Sequence, residues 1–125
     1  MQRLEIEKTK SSPQIDFNAQ THTHLIRGES YPENTTQFYT PILEWITMYL
    51  REGYEGEINF NIELIYFNSS SSKVLLDLFD ILEETNNNKI IVNWIHDEED
   101  EAMEEYGEEF QEDIEHITFV IKTKE

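Results

Sequence analysis

The sequence predicts an α/β domain in which a mixed sheet of about six strands is covered by about three helices. Three observations carry this reading. Apolar and polar residues alternate in short runs through the N-terminal third and again across Glu57–Phe67. Apolar residues recur at three-and-four spacing in three later segments. The order is several strands, then helix, strand, helix, strand, helix, strand, which suits crossovers over a sheet better than a bundle or a sandwich.

Leu4 and Ile6 open the alternation, Pro13 interrupts it, Ile15 and Phe17 resume it, and Leu25 with Ile26 closes it before Gly28. These read as three short strands. Thr40 followed by Pro41 has the form of an N-cap with proline at the first helical position, so a helix is expected from about Pro41 to Leu50, with Ile42, Trp45, Ile46 and Tyr49 on its buried face. Across Glu57–Phe67, Ile58, Phe60, Ile62, Leu64 and Tyr66 point one way, while Ile65 and Phe67 make the far end apolar on both sides. That pattern predicts a central strand in a covered sheet. Asn68 and Ser69–Ser72 then lead into a helix striped by Val74, Leu75, Leu78 and Leu82. Asn86, Asn87 and Asn88 end it, and Lys89–Ile95 reads as a strand. Met103, Tyr106 and Phe110 mark a third helix with Gly107 as its weak point, and Ile117–Ile121 reads as the last strand.

No repeat or linker divides the chain, so residues 1–125 read as one domain. Nine Lys and Arg stand against 27 Asp and Glu, a formal charge of −18, and there is no cysteine. Such a charge repels phosphate backbones, so nucleic acid is excluded as a partner and proteins with basic faces are expected. No apolar run is long enough for a bilayer span, and the first residues lack the apolar core of a signal peptide. No membrane is expected as a partner, and a cytoplasmic location is. The absence of cysteine excludes disulfides, thiol nucleophiles and zinc ribbons.

Several features invite a functional reading, and each is weighed against a plainer one or against the motif it lacks. The serines Ser69–Ser72 sit at the start of a helix, where unpaired N–H groups and the helix dipole accommodate a phosphate and Lys73 can act as counter-ion; equally, one serine is an ordinary N-cap. Ser70 and Lys73 also have the spacing of a lysine-activated serine nucleophile, but the further motifs of those enzymes are missing. Twelve carboxylates lie between Asp97 and Glu115 without a cation, either a solvated helix face or a docking face for a basic partner; the calcium-loop glycine is replaced by Ala102. His22, His24, His96 and His116 lack the convergent spacing of a metal site, and four scattered glycines make no phosphate loop, so neither metal nor cofactor is expected. Gly28–Pro41, rich in proline and aromatics, reads as a contact loop or as a plug on the edge of the core.

The residues Gly28 to Asn34, Phe38, Tyr39, Pro41, Trp45, Tyr66 to Lys73, Trp94 and Gly107 to Phe110 together resemble the SiaC family of bacterial regulatory phosphoproteins, in the same order across nearly the whole chain. The resemblance implies a fold like the anti-anti-sigma (STAS) domain and a non-enzymatic role in a partner switch. In such a switch a kinase phosphorylates the small protein, a PP2C-type phosphatase resets it, and the unmodified form activates a diguanylate cyclase that makes cyclic di-GMP. The family's phosphorylated threonine falls on Ser69 here, with Ser70 as the alternative. The implied partner face comprises Tyr31, Pro32, Glu33, Asn34, Asn68, Ser69, Ser70 and Lys73. The alternative is a constitutive acidic adaptor docking basic partners through residues 97–115.

Overall fold

The computed structural model describes residues 1–124. Its elements in chain order are β1 (Leu4–Ile6), β2 (Gln14–Asn18), β3 (Thr23–Ser30), α1 (Thr35–Leu50), β4 (Ile58–Phe67), α2 (Ser69–Glu83), β5 (Ile90–His96), α3 (Glu101–Glu112) and β6 (Thr118–Thr123). The six strands lie side by side in chain order. β1, β2 and β3 form an antiparallel meander, and β3 through β6 run parallel with a helix in each crossover. The sheet is therefore mixed, and β4 is central between β3 and β5 as expected.

Strand order follows chain order, so every right-handed crossover steps the same way and every helix lands on the same face. The core is built accordingly. Tyr39, Ile42, Ile46 and Tyr49 of α1, Leu75, Leu78, Phe79 and Leu82 of α2, and Met103 and Phe110 of α3 meet one alternating set of strand residues, including Phe17, Ile26, Phe60, Ile62, Val92 and Trp94. The opposite face carries Asn59, Asn61 and Asn93, whose side chains are joined by hydrogen bonds of 3.1 and 2.8 Å. Beside them Glu63 pairs with Arg27 and Lys124. The helices cover one face only, which corrects the expectation of a sheet covered around β4.

Three local expectations are also corrected. α1 begins at Thr35 rather than Pro41, and its N-cap is Asn34, whose side chain accepts the Gln37 N–H at 3.0 Å, rather than Thr40. Pro41 lies inside the helix, where its missing N–H and ring cost about 3 kcal/mol. Burial of Tyr39, Ile42 and Ile46 around it offsets that cost. The expected loop Gly28–Pro41 thus shrinks to residues 31–34, between the end of β3 and the first turn of α1.

The second correction concerns β4. Register with β3 shifts between Gly28 and Glu29, so that Gly28 faces Leu64 while Glu29 faces Tyr66, and one residue of β4 is left unpaired. The alternation changes parity there. Phe67 packs on Trp94 and Phe110, whereas Ile65 and Tyr66, 68% and 50% accessible, face solvent. In α3 the inward position is Gly107 rather than Tyr106. A Cβ on Gly107 would come within 2.5 Å of the Trp94 ring, which is itself tied down by a 2.9 Å bond from its indole N–H to the Met103 carbonyl. The glycine is a close-packing position, not a weak point.

Candidate functional site

The C-terminal ends of the parallel strands carry the features singled out from the sequence, as is usual for ligand sites in sheets of this kind. β3 ends at Ser30, and the chain turns through Tyr31, Pro32, Glu33 and Asn34 into α1. β4 ends at Phe67, and Asn68 turns it into α2. The Asn68 N–H donates to the Ser30 carbonyl at 3.0 Å, and the Tyr31 N–H donates to the Ser11 carbonyl at 2.7 Å, so both turns are fastened to each other and to the N-terminal meander.

Within the first turn of α2 the serines divide by burial. Asn68, not a serine, is the N-cap; its side-chain oxygen accepts the Ser71 N–H at 2.9 Å, and its carbonyl accepts the Ser72 N–H at 2.9 Å. Ser69 and Ser70 are exposed, while Ser71 is 1% accessible. The Ser71 hydroxyl lies 2.7 Å from the Ser30 hydroxyl, which in turn lies 2.5 Å from the Tyr39 hydroxyl. Burial raises the Tyr39 phenol, partly opposed by its bond to Ser30.

Glu33 and Asn34 from the start of α1 and Ser70, Lys73 and Asp77 from α2 line one open groove between the two helices. Lys73 is exposed and forms no ion pair among the described residues. Ser69 lies outside that groove's lining, at the helix tip. Tyr31 packs edge-on against Tyr66 with ring centroids 5.7 Å apart, which extends the surface toward the exposed Ile65. On the far side Tyr106 of the acidic helix stands 5.0 Å from the ring of Phe67, the last residue of β4 before Asn68.

The sequence reading missed Ser30, Ser71 as a buried group, and the exposure of Ile65 and Tyr66. A serine at a strand end carries no signal of burial, and the bulge that frees Tyr66 depends on the register with β3. The histidines do not converge: His22 stacks on Tyr54 and meets the Tyr49 hydroxyl at 2.5 Å, His24 is buried in the core, and His96 caps the end of β5 through the Asp97 carbonyl. Among the described residues no group of three or more potential ligands is placed to hold a metal ion. Among the described residues no helix is long and apolar enough to cross a membrane.

An open sheet end with exposed hydroxyls and aromatics, and among the described residues no metal-ligand cluster, is the build of a protein-binding domain. Residues 6–124 match the SiaC family, described as SiaC family regulatory phosphoprotein. The chain belongs to the SiaC family. It is 32% identical over 115 residues to an uncharacterized protein of Pseudomonas aeruginosa (strain UCBPP-PA14), covering 90% of each. Its fold overlays the crystal structure of apo-SiaC from Pseudomonas aeruginosa with a TM-score of 0.89 at 31% identity, covering 98% of this chain and 99% of that one. It also overlays the matching chain in the crystal structure of the diguanylate cyclase SiaD in complex with its activator SiaC, from the same organism. There the TM-score is 0.90 at 31% identity, over 97% and 99% of the two chains.

Proposed function

We propose that this chain is a phosphorylation-controlled partner-switch protein: unphosphorylated, it binds and activates a diguanylate cyclase, and a phosphate on Ser69 ends that interaction. A kinase and a PP2C-type phosphatase set the level of the modification. The observation that carries the reading is the overlap along nearly the whole chain with SiaC, crystallised with the diguanylate cyclase SiaD as its activator.

The physical chemistry of the turn supports it. Ser69 and Ser70 are the exposed members of the cluster, and Ser71 is closed to a kinase by burial. A phosphate there adds about −1.5 to −2 charges at the exposed start of α2, the helix that also carries the exposed Lys73. On a chain of formal charge −18, that charge deepens an already negative field and must be desolvated when a partner docks. A tenfold loss of affinity requires only about 1.4 kcal/mol.

The test is cyclase binding, and cyclic di-GMP output, with the unmodified chain, Ser69→Ala and a chain carrying phosphoserine at position 69. Binding by the first two and loss with the third is expected. Equal binding by all three sinks the switch. A steep fall of that phosphate-independent binding with salt would then identify the adaptor working through residues 97–115.

A further inference from the structure

The three buried hydroxyls of Ser30, Tyr39 and Ser71 join elements that the sequence keeps far apart. Ser71 belongs to the first turn of α2, Ser30 to the end of β3 and Tyr39 to the second turn of α1. Each is nearly or wholly inaccessible, and the bonds of 2.7 and 2.5 Å link one helix through the strand to the other. Buried polar groups without partners are costly, so these hydroxyls hold one another in place.

Ser71 also occupies a second position of consequence. Its backbone N–H is the donor held by the Asn68 side chain. A phosphate on the neighbouring exposed serines is a far stronger acceptor than that amide oxygen and sits within the same helix turn. It therefore competes with Asn68 for the Ser71 N–H. The residue whose N–H is contested is the residue whose hydroxyl is tied to Ser30 and Tyr39. Tyr39 in turn follows the Asn34 cap and the residues 34–38 that form the α1 side of the groove.

We propose that Ser71, Ser30 and Tyr39 form a hydroxyl relay that carries modification of the α2 serine turn to the start of α1, so that both walls of the groove respond to one phosphate. The three are positioning residues, and the relay rests on the reading of Ser69 as the modified residue. Charge at the serine turn acts on a partner locally. The relay adds a displacement of Asn34 and Glu33, which carry no phosphate and lie on the opposite wall.

The experiment compares backbone amide spectra of the chain with and without phosphoserine at position 69, in the wild-type background and in Tyr39→Phe. Ser71→Ala, which cuts the relay at its other end and leaves the aromatic ring in place, is the second variant. In the wild type, phosphoserine is expected to shift the amides of residues 34–38 as well as those of 70–73. In either variant the shifts at 70–73 persist and those at 34–38 are lost, which a merely structural role for the hydroxyls would not produce. Shifts at 34–38 that are absent in the wild type, or equal with and without the relay, overturn the proposal. Cyclase binding measured on the same wild-type samples tests the functional reading separately: unchanged binding with phosphoserine removes that reading, whatever the amide shifts show.

Discussion

The two ends of the parallel strands are built from similar residues and put to different uses. At the N-terminal end, His22, His24, Trp45 and Tyr49 pack ring on ring, with Trp45 stacked on Tyr49 and the exposed Tyr54 laid over His22. The His24 ring, fully buried, accepts the Asn18 N–H at 3.1 Å through Nδ1, which leaves its proton on Nε2. That Nε2 has no hydrogen-bond partner among the described residues, and the His24 ring lies against those of Tyr49 and Phe60, 4.8 and 4.7 Å from centroid to centroid. At the C-terminal end, Tyr31, Tyr66 and Tyr106 are left accessible, and polar side chains are turned outward on capped helix starts. Aromatic residues alone do not distinguish a closed end from an open one. What separates them is that rings at the N-terminal end close around the buried His24, whereas at the C-terminal end α1 and α2 begin, capped by Asn34 and Asn68.

The sharpest way to break the closed end is acid. Burial, reinforced by the nearby His22, lowers the His24 imidazole from 6.5 to about 4. Between those two pH values the unfolded chain binds a proton that the folded chain refuses, so this contribution to stability is full at neutral pH and shrinks as the pH falls from 6.5 toward 4. Its size is about 3 kcal/mol by the conversion of roughly 1.4 kcal/mol per pH unit. Urea unfolding at several pH values checks it, with His24→Gln expected to flatten the slope across that window; an unchanged slope removes the assignment.

The open end is expected to answer in binding more than in stability. Ser69→Glu should weaken cyclase binding about tenfold, near 1.4 kcal/mol, with less effect than authentic phosphoserine because glutamate carries less charge. A thermal melt of the same variant is expected to stay close to wild type, since Ser69 is exposed. Asn68→Ala removes a cap and should destabilise the fold by about 1 kcal/mol, readable as a lower urea midpoint at unchanged slope. Its counterpart Asn34→Ala is expected to match it, because both side chains accept one backbone N–H at about the same distance. The smallest stability effect belongs to Tyr66→Ser, within about 0.5 kcal/mol for an exposed side chain. Its cyclase affinity should nonetheless fall, and a variant that binds as well as wild type would place the contact elsewhere.

Much of the fold was legible because its strands and helices follow simple periods. Leu75, Leu78 and Leu82 occupy the stripe their spacing implies, and the alternation from Ile58 to Leu64 lies on the core face as expected. The errors fall where long-range packing overrides local chemistry. Pro41 signals a helix start, yet the Asn34 cap and the burial of Tyr39 carry the helix back through it. Tyr66 continues a perfect alternation, yet pairing with β3 inserts a bulge and turns it outward. Gly107 looks like a helix defect until the Trp94 ring is placed against it. The serine turn was legible as a turn, and the division between Ser70 and Ser71 was not, because burial of one hydroxyl depends on Ser30 and Tyr39 from distant parts of the chain.

The strand order described above bears on how the molecule comes into being. Since each strand lies beside its predecessor in the chain, a polypeptide growing from its N-terminus always adds to a finished edge and never inserts between strands already paired. Each parallel pairing still closes a full crossover, as Thr23 with Asn59 and Ile58 with Ile90 do, and those closures are the slow steps. The N-terminal meander can template β4 before β5 and β6 have been synthesised. The serine turn therefore leaves the ribosome ahead of the acidic helix, with both strands that hold it, β3 and β4, already made.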